Sequence, residues 1–252
     1  MTYTIMAHCT ETGQIGIASA TVTINCSRFH MPIHRGLMPT FQPNGALVMP
    51  QASATYIIPF KLLDLIEKGA SFDDLHEEAM LDVNYRVSQI GVIKSNKDMW
   101  VYTGPDCGDA KKHIQGPDYI VMGNALAGDQ VFEEMEAAFV GSLGEPLHER
   151  LMRSIEAGRD AGGQSTETHG HLPELWSMLL VLDGTERPLV DLRVDYDLDA
   201  VGLLRRFIED IVPLGELYDV MIYDHDRYVG LMEDEDTNLE MKLYWRDKGS
   251  KD

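Results

Sequence analysis

The chain has few cations. Its 252 residues carry 21 Lys and Arg against 41 Asp and Glu, for a formal charge of −20 at neutral pH. Nucleic acid and anionic membrane surfaces are held through clustered positive charge, so neither is expected as a partner. A small-molecule substrate, neutral or cationic, stays compatible with that sign, which also favours solubility. Cysteine is scarce: Cys9, Cys26 and Cys107 are odd in number and widely spaced. That excludes a disulfide framework or a zinc knuckle and suits ordinary thiols in a reducing compartment. No apolar run approaches the ~20 residues that span a bilayer. The first residues lack the basic and apolar regions of a signal peptide, so a cytoplasmic protein is expected. Also absent are a Walker A loop, a dinucleotide glycine fingerprint, a Gly-x-Ser-x-Gly elbow and a His-Glu-x-x-His pair. No cofactor is implied.

Hydrophobic residues make up 44% of the chain, enough for a substantial core. The pattern opens with two β runs, about 3–8 and 15–21, joined by a turn at Thr10-Glu11-Thr12-Gly13. Residues 22–45 are irregular, a loop over a pocket mouth or an edge strand. They hold His30 and His34, but the intervening Pro32 argues against a helical metal pair. Residues 46–55 read as a buried strand leading into a turn, 57–68 as a helix stopped by Gly69, and 72–81 as a helix started by the capping box of Ser71 and Asp74. A hairpin over 87–94 and 99–103 precedes a loop at 104–117 and a strand at 119–122. Helices are expected at 129–140 and from Pro146 to a stop at Gly158. The Gly-rich stretch 158–173 reads as a long loop in which Glu167, His169 and His171 are weak metal-ligand candidates. Strands 176–182 and 189–194 and a helix over 198–211 complete a domain at 1–211. Residues 212–252, aromatic and acidic, read as a peripheral extension or as an arm onto a second subunit of a homodimer. Paired strands alternating with paired helices predict an α+β fold in which two mainly antiparallel sheets pack together with helices outside.

The chemistry concentrates at strand ends. Thr2 stands at the head of the first strand behind Met1. Removal of Met1 leaves a hydroxyl nucleophile beside its own α-amine, a base whose ordinary pKa of roughly 7.7–8.0 suits neutral pH. The plain alternative is that Met-Thr is simply how the chain begins. Asn124 follows a strand in a Gly-flanked turn, where its amide suits either oxyanion donation or a helix N-cap. Ser19, Gln51, Ser177 and Arg193, the last beside Asp191, are further polar residues near strand ends and are candidate substrate-binding groups.

Six blocks carry a family resemblance: TYTIMA and TETGQIGIAS within residues 2–19, VSQIGVI at 87–93, YTGPDC at 102–107, VMGNALAG at 121–128, LMRSIEAGRDAGG at 151–163 and VDLRVD at 190–195. In this order they resemble the bacterial and archaeal family catalogued as domain of unknown function 1028. The resemblance implies an N-terminal-nucleophile (Ntn) hydrolase-like fold, a four-layer αββα sandwich with a leading hairpin, and amide-bond hydrolysis. It puts Thr2 at the nucleophile position and Asn124 in the Gly-Asn-x-Leu-Ala-Gly block. The chain departs from the pattern in its acidity, its many methionines, the loop QSTETHGH at 164–171 and Trp176 before Ser177.

Overall fold

The computed structural model describes residues 1–23, 40–42, 45–55, 57–185, 188–223 and 229. Two strands open it: β1 (Thr2–His8) and β2 (Ile15–Thr21), antiparallel and in register from Thr2 opposite Thr21 to His8 opposite Ile15. Gly13 closes the turn at φ +75°, a conformation favouring glycine, and its N–H donates to the Cys9 carbonyl. After β3 (Thr40–Phe41) and β4 (Ala46–Ala52) come helices α1 (Ile58–Glu67) and α2 (Phe72–Met80). Ser71 caps α2 as its sequence predicts: the Asp74 N–H donates to Ser71 Oγ, and Ser71 N–H donates to Asp74 Oδ2 at 2.7 Å. The chain continues through β5 (Ser88–Lys94), β6 (Met99–Thr103), β7 (Lys112–Gln115), β8 (Tyr119–Asn124), α3 (Asp129–Gly141) and α4 (Leu147–Asp160). It ends with β9 (Gln164–Thr166), β10 (Gly170–Leu172), β11 (Trp176–Leu182), β12 (Pro188–Val194) and α5 (Ala200–Tyr223).

A six-stranded sheet runs β12-β11-β2-β1-β8-β7 and a four-stranded one β3-β4-β5-β6, all pairings antiparallel. Period-two alternation gives each central strand two apolar faces. One face of each sheet meets the other sheet through Met6, Ile17, Leu47, Met49, Ile93, Met122, Met178 and Leu180. The opposite face of the four-stranded sheet packs Val48, Ile90 and Val92 against Ile58, Leu62 and Leu75 of α1 and α2. The opposite face of the six-stranded sheet receives α3 and α4. Small residues Gly16, Ala18 and Ala20 on β2 let α4 approach, and a Cβ on Gly16 would stand 2.7 Å from Leu151 Cδ1. The layers are therefore α, β, β, α.

Four expectations are corrected. The 104–117 segment is not all loop: β7 is a short, polar edge strand with no apolar signal to betray it. The 158–173 stretch contains the hairpin β9–β10, each strand only three residues long. Gly158 does not stop α4 but lies inside it, because a Cβ there would stand 2.8 Å from Met135 Cγ and 3.1 Å from the Tyr3 ring. Helix α5 continues past residue 211, through Pro213 to Tyr223. Two compact units divide at residues 205 and 206. In the first, Arg205 ties the start of α5 to α4 through Glu149 at 2.5 Å and Glu156 at 2.6 Å. The described part of the second is the helical stretch to Tyr223 and Val229. His30, His34 and the acidic end of the chain lie outside the described residues. Among those described, no helix is long and apolar enough to cross a membrane.

Candidate functional site

Between the sheets, the strands change character together. On β1 the inward series runs Met6, Thr4, Thr2; on β2 it runs Ile17, Ser19, Thr21; on β4 Leu47, Met49, Gln51; on β5 Ile93, Gly91, Gln89; on β8 Ile120, Met122, Asn124. Every one of these strands is apolar along most of its length and polar at the same end. Thr2, Thr4, Ser19, Thr21, Gln51, Gln89 and Asn124 thus form one layer, each no more than 2% exposed. Burying so many polar groups is unfavourable unless they bond to one another.

They do. Thr4 Oγ1 donates to Gln51 Oε1 at 2.6 Å and lies 2.8 Å from Ser19 Oγ. Gln51 Nε2 donates to Gln89 Oε1 at 2.8 Å, and Asn124 Nδ2 donates to the same oxygen at 2.8 Å. Gln89 Nε2 in turn donates to the Gly123 carbonyl at 2.8 Å and to Thr103 Oγ1 at 3.0 Å, which is 2.9 Å from His113 Nδ1. The chain of bonds crosses from one sheet to the other.

Thr2 lies in this layer at the N-terminal end of β1. Antiparallel register sets it between Thr21 on β2 and Asn124 on β8. Thr2 Oγ1 donates to the Met1 carbonyl at 2.6 Å, and Thr21 Oγ1 donates to the same carbonyl at 2.5 Å. The N-terminal amine, on Met1, is held below its ordinary pKa chiefly by burial, with nearby Cys107 acting in the other direction. Burial also pushes the Cys107 thiol up, and its Sγ donates to the Ser88 carbonyl at 3.4 Å. Asn124 is followed by Ala125 at φ +52°. It ends β8 and does not cap α3, whose N-cap is Gly128.

The structure brings Thr2, Asn124, Ser19 and Gln51 into one layer. It does not bring Ser177 or Arg193 there. Ser177 pairs with Ala20 on the helical face of the sheet, and its hydroxyl donates to the Ala200 carbonyl at 2.7 Å. Arg193 lies on the edge strand β12, half exposed, with Nε donating to Asp195 Oδ1. Sequence reading passed over Thr4, Thr21, Gln89 and Gln164. The available signal for the first three was a polar residue at an inward position of an otherwise apolar strand. Gln164, fully buried, accepts the Val22 N–H at 2.8 Å just beyond Thr21. His171 Nδ1 lies 3.0 Å from the Gly162 carbonyl and His169 Nδ1 3.3 Å from Thr166 Oγ1, both exposed. Among the described residues no three His, Cys, Asp or Glu side chains assemble into a set that could hold a metal.

The model of a family described as "Family of unknown function (DUF1028)" matches residues 2–204. The crystal structure of the protein SPO2555 from Silicibacter pomeroyi, of that same family, is 25% identical, with a TM-score of 0.69 over 82% of this chain and 88% of that one. The Anbu (ancestral beta-subunit) structure from Yersinia bercovieri is 14% identical, with a TM-score of 0.41 over 86% of this chain and 96% of that one, too slight a likeness to argue from. No curated protein matches.

Proposed function

The chain belongs to the DUF1028 family, whose description leaves its chemistry open, and from the site itself we propose an Ntn-type hydrolase cleaving an amide or amide-like C–N bond of a small molecule through Thr2. The observation that carries the reading is the place of Thr2: next to the N-terminus, 1% exposed, in register between Thr21 and Asn124 at the polar end of the core. Removal of Met1 takes away the carbonyl that engages both threonine hydroxyls and leaves an α-amine on the residue that bears the nucleophile. Thr2 Oγ1 then attacks the substrate carbonyl carbon while its proton passes to that amine. The oxyanion is stabilised by Asn124 Nδ2 and neighbouring backbone N–H groups. Collapse breaks the C–N bond, the ammonium returns the proton to the leaving nitrogen, and water, activated by the same amine, hydrolyses the threonine ester.

Intact-mass measurement should show the loss of one methionine from the purified protein. A β-lactone should acylate it once, with the adduct on Thr2. Thr2→Ala keeps a small residue behind Met1, so processing continues while the adduct disappears. Retained Met1 in a preparation that still acylates on Thr2 would overturn the mechanism.

A second reading has its own observation. The Met1 carbonyl is seated by Thr2 and Thr21 at 2.6 and 2.5 Å, as it would be in a non-catalytic binding or accessory protein that keeps Met1. That protein would show full-length mass and no acylation.

A further inference from the structure

Gln89 lies on β5 in the sheet opposite Thr2, and nothing in its sequence neighbourhood marks it for chemistry. We infer that Gln89 is a positioning residue that fixes the orientation of the Asn124 amide for the reaction at Thr2. The inference rests on the Thr2 reading and goes beyond it.

The Gly123 and Lys112 backbone carbonyls only accept hydrogen bonds, and the side-chain atom of Gln89 facing them lies 2.8 Å from one and 3.2 Å from the other. That atom must be the amide nitrogen, since an oxygen there would oppose two carbonyl oxygens across a buried, water-excluded gap. The carbonyl end of Gln89 is therefore the end turned toward Asn124 and Gln51. Facing an oxygen that only accepts, both must present their NH2 groups, and both do, at 2.8 Å. Backbone geometry at the ends of β7 and β8 thus dictates, through one glutamine, which end of Asn124 is the donor.

Asn124 could otherwise flip between presenting a donor and an acceptor. A flipped Asn124 would place its carbonyl oxygen against Gln89 Oε1, two acceptors with no hydrogen between them. In a fully buried layer that arrangement is strongly disfavoured. The amide keeps one hydrogen on Gln89 and holds the nitrogen in one place, leaving its second hydrogen for a developing oxyanion. Preorganised donors of this kind give most where they need no reorientation during the reaction. Gln51 shares the same acceptor and carries the constraint on to Thr4, two residues along β1 from the nucleophile.

The test uses the full chain and a β-lactone acylating agent, with the acylation rate constant read by intact mass. Gln89→Met keeps the length and removes the amide; acylation should fall about 10- to 100-fold, in line with the loss of an oriented donor. Asn124→Ala should fall by a similar factor, and the double variant should be no slower than the slower single. That non-additivity separates positioning from general loosening of the fold, which would slow Gln89→Met independently of Asn124 and give multiplied effects. Multiplied effects, or acylation of Gln89→Met at the wild-type rate, overturn the inference while leaving Thr2 as nucleophile. An unslowed Asn124→Ala overturns it as well, and a wild type that does not acylate overturns the Thr2 reading itself. If Gln89→Met does not fold, the side-chain amide of Asn124 is followed by NMR in the wild type. Exchange as slow as that of buried backbone amides is expected; exchange as fast as that of a free side-chain amide overturns the inference.

Discussion

In the proposed reaction a single amine decides the chemistry at the residue scale. Burial lowers the pKa of the N-terminal group where Met1 carries it, and in the proposed Met1-free form the amine would sit on Thr2, at a position 1% exposed, where burial acts in the same direction. The amine acts as base only when unprotonated, so acylation of Thr2 should be slow in acid and rise with pH. Because burial lowers the pKa, the midpoint of the rise should lie below pH ~8, the ordinary value of an α-amine. Acylation rates measured from pH 5 to 9 on Met1-free protein check this. A midpoint above the ordinary value would mean that a neighbouring negative charge, rather than burial, sets the amine. Thr2 is a candidate on sequence through its place behind Met1 and the ordered family blocks, and the structure adds its position between Thr21 and Asn124. Gln89 is no such candidate, because a glutamine inside VSQIGVI shows nothing of what stands across the gap between sheets.

Glycine separates local preference from packing at the scale of elements. Gly158 and Gly141 are both helical, in α4 and α3, and propensity alone favours alanine at either by up to about 1 kcal/mol. A Cβ at Gly141 would meet nothing within 4 Å, whereas one at Gly158 would press on Met135 Cγ at 2.8 Å and the Tyr3 ring at 3.1 Å. Overpacking of that kind costs about 1–3 kcal/mol, more than the propensity gain. Gly141→Ala should therefore raise the urea midpoint and Gly158→Ala should lower it, in equilibrium unfolding. The expectation of Gly158 as a helix stop failed for the same reason: its glycine serves contacts from β1 and α3, which a local reading of α4 does not contain. Strand β7 escaped sequence reading because KHIQ has one apolar residue and edge pairing demands no more. The capping box at Ser71 was legible because all of its partners lie within four residues.

Charge acts on the whole molecule. A formal charge of −20 repels itself in the compact state, and salt screens that repulsion over a Debye length of roughly 10 Å at 0.1 M. The exposed ion pairs, such as Lys68–Asp64 and Arg86–Asp106, are weakened by the same salt, but pairs this open to solvent contribute little. The melting temperature should thus rise by a few degrees, about 2–4 °C per kcal/mol gained, between 10 and 300 mM sodium chloride. A fall would show that the ion pairs outweigh the net charge. By itself the sequence determined the leading hairpin, most helices and the alternation that makes strands two-faced, because each follows from periodicity, capping or turns within a few residues, while the αββα order came with the family resemblance. Only the tertiary structure decided that the polar ends of β1, β2, β4, β5 and β8 coincide, that Ser177 and Arg193 lie elsewhere, and that Gln89 faces Asn124. Those facts depend on register and on which sheet faces which, and residues 35 positions apart carry no local trace of meeting at 2.8 Å.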